Sequence, residues 1–147
     1  YAEVMSAEPI VDLVEQQDWL EPVEDAVQKA VASAFESAGT AGRQIKNALH
    51  GVWLGHPLHP VLTDIPLGAW TVTAVLDCME AAGHTEHADS ADASLVVGLA
   101  GAGAAAVAGL TDWHVTDGSA RRVGMMHGLL NLAVTGLYIG SLVARNK

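Results

Sequence analysis

Thiol chemistry is nearly missing from this 147-residue sequence, in which Cys78 is the one cysteine. A lone thiol excludes an internal disulfide framework and any CxxC-type zinc or iron–sulfur site within these residues. Cations are scarce too, with seven Lys and Arg against 17 Asp and Glu. Phosphate backbones are held by clustered cations, so nucleic acid is not an expected partner. There is no HExxH, no phosphate-binding glycine loop and no nucleophile–base arrangement, so a hydrolase is not expected. No basic segment followed by an apolar run opens these residues, and a secretory signal is not expected within them.

What is present pulls in two directions. The net charge of −10 belongs to a well-solvated acidic protein, whereas 50% hydrophobic residues and a mean hydropathy of +0.28 belong to a greasy one. Dividing the chain after residue 36 resolves the conflict. Residues 1–36 hold nine acids and one cation, Lys29, a net −8 that leaves −2 for the other 111 residues. Within this acidic arm, Val23, Val27, Ala30, Val31, Ala34 and Phe35 recur at spacings of three and four, which predicts an amphipathic helix. Pro22 suits its first turn and Gly39 its stop, and a shorter helix is expected around Val11–Leu20.

Downstream, Ala93–Thr111 runs for 19 residues and Val123–Ala144 for 22 without a formal charge. Both reach the roughly 20 residues that cross a bilayer core of about 30 Å. Val61–Met79 is a third span, apolar except for Asp64 and Asp77 near its ends. The expected fold is therefore all-α. An acidic arm over 1–40 leads to an interfacial helix and HPLHP segment over 41–60, then to a three-helix transmembrane bundle over 61–147. The GxxxG pairs Gly124/Gly128 and Gly136/Gly140 fit close helix packing in lipid.

Alternating spans bring the polar residues to one membrane side. His56, His59 and Asp64 open the first span, Asp112, Trp113 and His114 close the second, and His127 and Asn131 open the third. His127 lies about 6 Å inside its helix from Val123, at 1.5 Å per residue. Arg43, Lys46, Arg121 and Arg122 gather at this end, which puts the arm and the histidines on the cytoplasmic side by the positive-inside rule; Arg145 and Lys147 weigh against it. Ionisable groups at membrane depth are costly and point to function, and imidazole is a common ligand of metals and of haem iron. Two ligand sets are expected. His59 and His127 form a haem b axial pair with His114 as substitute, and Gly124 and Gly128 give a porphyrin room. Alternatively His56, His59 and His114 with Asp64 or Asp112 hold a transition metal.

The runs LHGVWLGHPLHPVLTDIPLGAW (Leu49–Trp70), GLTDW (Gly109–Trp113) and RRVGMMHGLLN (Arg121–Asn131) resemble a family of bacterial and archaeal membrane proteins, domain of unknown function 2231. The likeness covers about residues 49–145 and leaves the acidic arm outside. It implies a small multi-span helical domain in the cytoplasmic membrane, with His56, Pro57, His59, Pro60, Asp112, Trp113, His127 and Asn131 as marker residues. Some relatives carry a fourth span and a Rieske-type [2Fe–2S] domain, whose ligand pairs this sequence lacks, although the fusion points toward electron transfer near the membrane. Two functions are expected from these features. One is an accessory or anchor subunit that docks a protein partner through the arm 1–36, and the other is a haem- or metal-binding electron-transfer module.

Overall fold

The computed structural model describes residues 8–145, and among them every regular element is helical. Helices α1 (Glu8–Glu15) and α2 (Glu21–Ser37) form the arm, with a single 3-10 turn at Asp18–Leu20 between them, and α3 (Gly39–Leu49) is the interfacial helix that follows. The long helices α4 (Leu58–Ala81), α5 (Ala88–Trp113) and α6 (Gly118–Arg145) are each long and apolar enough to cross a membrane. They extend the expected spans by one to five residues at each end, because terminal polar residues continue a helix into the interface without entering the hydrocarbon. The expected all-α architecture with three spans is the one observed.

Helices α4 and α5 form a tight antiparallel hairpin through a ladder of small residues on α5. Ala91, Leu95, Gly98, Gly101, Ala105 and Ala108 are all buried. A side chain at Gly98 would run into the indole of Trp70, and one at Gly101 into Ile65. Without a hydrophobic driving force between helices in lipid, this close backbone approach is what holds them. Ser94 adds a bridge by donating from its hydroxyl to the Ala69 carbonyl at 2.8 Å. Helix α6 is attached differently, by a few side-chain contacts along one edge. Tyr138 stacks on Trp70 at 4.0 Å between ring centroids, and none of the most apolar stretch of α6 is buried inside the protein.

The arm closes over one end of the bundle. Leu20 is fully buried and joins Trp113 and Met125 in a small apolar core that Val27 and Met126 flank. Val27, Val31 and Phe35 face inward as their spacing predicts, but Glu24 and Gln28 share that face while Val23, Ala30 and Ala34 lie exposed. The helix is rotated from its purely apolar stripe because the surface beneath it is polar. Glu24, only 2% exposed, sits 2.8 Å from Nε of Arg122 and 3.5 Å from Nε of Arg121. Asp25 pairs with Arg121 as well. Gln28 donates to the Thr116 carbonyl at 2.8 Å. Much of the arm's inward-facing charge is thus used within the chain.

Candidate functional site

The segment between the arm and the first span is fixed by a sharp turn. Gly51 has φ +70°, and the His56 carbonyl folds so closely over it that no β-carbon fits. Pro57 then precedes α4 and Pro60 lies in its first turn, where a missing N–H costs no helical hydrogen bond. His56 ends up exposed, its Nδ1–H donating to the Pro57 carbonyl at 2.9 Å. His59, one turn into α4, points instead at α5. Its Nδ1–H donates to the Ala105 carbonyl at 2.8 Å, and Gly109 leaves the room, since a β-carbon there would come within 2.7 Å of the ring.

The histidines separate into two pairs. In the first, His59 of α4 and His127 of α6 meet edge to face, with centroids 6.3 Å apart and planes at 89°. The amide nitrogen of Asn131 lies 3.1 Å from Nε2 of His127 and donates to the His127 carbonyl at 2.8 Å, as the i,i+4 spacing anticipates. In the second, His114 at the end of α5 stacks toward His50 at 6.3 Å and toward Phe35 of the arm at 5.7 Å. His50 Nδ1 lies 2.6 Å from Oδ1 of Asp112, and His114 donates from Nδ1 to the Thr111 carbonyl at 2.5 Å.

A carbonyl only accepts, so His56, His59 and His114 carry their proton on Nδ1, and in a neutral ring Nε2 keeps the lone pair. An imidazole whose Nδ1–H is tied to a carbonyl or carboxylate has the orientation of a metal-ligating histidine. The five residues expected to share a metal do not converge, however. Asp64 is exposed on α4, Asp112 is engaged with His50, and His56 turns to its own neighbour. Among the described residues no group of three or more His, Cys, Asp or Glu is placed to hold a metal ion. For a haem, His59 and His127 do face each other across α4 and α6. Gly128 has open space beside it, but the side of Gly124 is filled by the indole of Trp113.

His50 was not among the expected site residues. It lies in the interfacial segment at the same end of the bundle, and that position is the available signal. The rotation of α3 that turns it to Asp112 is set by tertiary packing, where Gly42 lies against the Phe35 carbonyl with no space for a side chain. Trp113 has a structural part. It is buried, donates from Nε1 to the Arg121 carbonyl at 2.7 Å, and locks the α5–α6 turn.

No curated protein and no solved structure gives a match to this chain. A family model described as a predicted membrane protein, DUF2231, matches residues 55–147. The matched stretch holds the His59–His127 pair, Asp112 and Trp113, while His50 and the arm precede it. The chain is an integral membrane protein and belongs to the DUF2231 family.

Proposed function

We propose that the protein is an accessory or anchoring subunit of a larger membrane complex, with α6 as the face on which another membrane-spanning chain packs. The observation that carries this reading is the outer side of α6. At 100° per residue, Ala133, Gly136, Gly140 and Ala144 fall on one strip opposite the edge that meets Trp70 and His59. All four are exposed, and nothing lies within 4 Å of the positions where side chains at Gly136 and Gly140 would stand. A helix surrounded by lipid alone has no use for such a strip, whereas small residues let a second backbone come close. The outward carboxylates of the arm, Asp12, Asp18, Glu21 and Glu36, remain exposed for a soluble partner on the same side. Arg43, Lys46, Arg121 and Arg122 at that end favour the cytoplasm.

The test is co-purification from native membranes in mild detergent. Wild-type protein should retain a defined membrane partner, and Gly136→Leu with Gly140→Leu should release it while the spans still insert. A wild-type chain that runs as a lone monomer, or a partner indifferent to both leucines, overturns the reading.

A second reading is favoured by the His59 hydrogen bond to Ala105, which leaves Nε2 as the nitrogen free for a ligand in a ring whose centroid is 6.3 Å from that of His127. Here the two histidines hold haem b, which when bound would supply one-electron transfer. The purified protein should then show a Soret band that shifts on reduction and disappears in His59→Ala. Colourless protein after expression with ample haem removes this reading without touching the first.

A further inference from the structure

We infer that the groove between α4 and α6 seats a phospholipid of the leaflet opposite the arm, one whose headgroup carries a primary ammonium. The two helices run in the same direction and are pinned together at two levels. Trp70 stacks on Tyr138 at 4.0 Å between centroids, and Arg145 pairs with Asp77. On both helices the pins are seven residues apart, about 10 Å at 1.5 Å per residue. Between them stand Ala74 on α4 and Ser141 on α6, at spacings of three and four that keep them on the pinned faces. Both are too small to close the gap, and a cavity of about 430 Å³ remains.

This one cavity joins charged groups to apolar surface. Asp77, Ser141 and Arg145 line its outer end, and Val134 and Leu137 line it deeper in the span. Leu137 is 75% exposed, so the deeper wall faces lipid. The ionic end still has hydrogen-bonding capacity. Nε of Arg145 donates to the Ser141 hydroxyl at 3.3 Å, one terminal nitrogen donates to Asp92 at 3.2 Å, and the other donates to Asp77. A guanidinium has five N–H groups, so two remain for a further acceptor. One cation between two carboxylates gives these three groups a net −1, and the Asp77 side chain is 38% exposed.

An ethanolamine headgroup matches both signs at once. Its ammonium donates to Asp77, its phosphate accepts from the remaining N–H groups of Arg145, and the acyl chains continue down the groove along Leu137 and Val134. A trimethylammonium has no N–H to donate, and a glycerol headgroup brings a net negative charge to a net negative site. A soluble amine would satisfy Asp77 and leave the apolar wall unused. The groove lies on the opposite side of α6 from Gly136 and Gly140, so it does not depend on a partner docked there.

The test is lipid titration of the full chain in detergent, read by native mass spectrometry. The probes are phosphatidylethanolamine, phosphatidylcholine, phosphatidylglycerol and O-phosphoethanolamine. Wild type should retain phosphatidylethanolamine over phosphatidylcholine by roughly tenfold, the ratio that about 1.4 kcal/mol gives, close to the lower bound for one hydrogen bond to a charged group. Asp77→Asn should bring these two lipids to parity, and Asp77→Glu should keep the preference, which separates charge from folding. Ala74→Leu, which fills the groove and leaves every charge in place, should also abolish the preference. Equal retention of the two lipids by wild type, or stronger retention of phosphatidylglycerol, overturns the proposal. So does a preference that survives Asp77→Asn or Ala74→Leu, or displacement of the lipid by millimolar O-phosphoethanolamine.

Discussion

The two ends of α6 pose the same problem, a cation close to the membrane, and the chain solves it in two ways. At the arm end, Arg121 and Arg122 receive a carboxylate from nearly 100 residues upstream, and that carboxylate is buried. At the far end, Arg145 meets Asp77 of α4 and Asp92 of α5 at 3.2 Å for the latter, with both carboxylates more than a third exposed. The first arrangement closes a domain boundary, since the guanidinium of Arg122 also donates to the Gln17 carbonyl at 2.6 Å and so grips the chain before α2. The second ties span to span at a wet interface. Burial decides which of them is worth more, because a screened pair at the surface contributes about 0–1 kcal/mol while removing one partner of a buried pair costs about 3–5 kcal/mol.

The largest effect should therefore follow Glu24→Ala. It leaves Arg122 with no carboxylate beneath α2 and Arg121 with the exposed Asp25 alone, and the neighbouring like charges add repulsion to the lost attraction. We expect a loss of about 3–5 kcal/mol in the docking of the arm. The readout is limited trypsin digestion, with cuts at Lys29, Arg43 and Lys46 appearing while the spans stay intact. Arg122→Ala should open the same sites. An arm that stays protected in both variants would mean that Leu20 and Val27 hold it by apolar contact alone, and the contrast between the ends would fail.

That contrast also marks what the sequence discloses. The spans are legible because a chargeless run of 19 or 22 residues has few alternatives, and the gathering of His59, Asp112, Trp113 and His127 at one end follows from alternating direction alone. The clasp is not legible. Periodicity assigns the inward face of α2 by its apolar residues, and a glutamate among them looks like solvated charge until Arg121 and Arg122 are placed beneath it. The same blindness hides the division of the histidines. Topology brings four rings to one side, but only the rolls of α3, α4 and α6 decide that His59 meets His127 while His114 meets His50. Arg145 argued against the sidedness of the charge count, and in the folded protein it is matched by Asp77 and Asp92.

An intermediate effect is expected for Trp113→Phe, which keeps a ring in the core beside Leu20 and Met125 but removes the donor to the Arg121 carbonyl. The lost hydrogen bond is worth about 0.5–1.5 kcal/mol, and more if the carbonyl finds no water. Thermal unfolding in detergent should show a lowered midpoint, with arm protection weakened far less than in Glu24→Ala. A variant that released the arm as fully as Glu24→Ala would make Trp113, not the ion pairs, the centre of that end.

The smallest effect belongs to the far end. Asp77→Asn should cost about 0–1 kcal/mol, since Asp92 still neutralises Arg145 and water reaches the pair. Asp77→Asn with Asp92→Asn removes both carboxylates and should cost more than the two single changes added together, because each aspartate covers for the loss of the other. Salt sharpens the difference, as the Debye length falls to about 3 Å at 1 M and exposed pairs are screened more than buried ones. Raising ionic strength should therefore shrink the cost of the double variant while leaving that of Glu24→Ala nearly unchanged. If salt erased both alike, the Glu24 clasp would be as open to water as the Arg145 pair, and burial would not be what distinguishes the two ends of the helix.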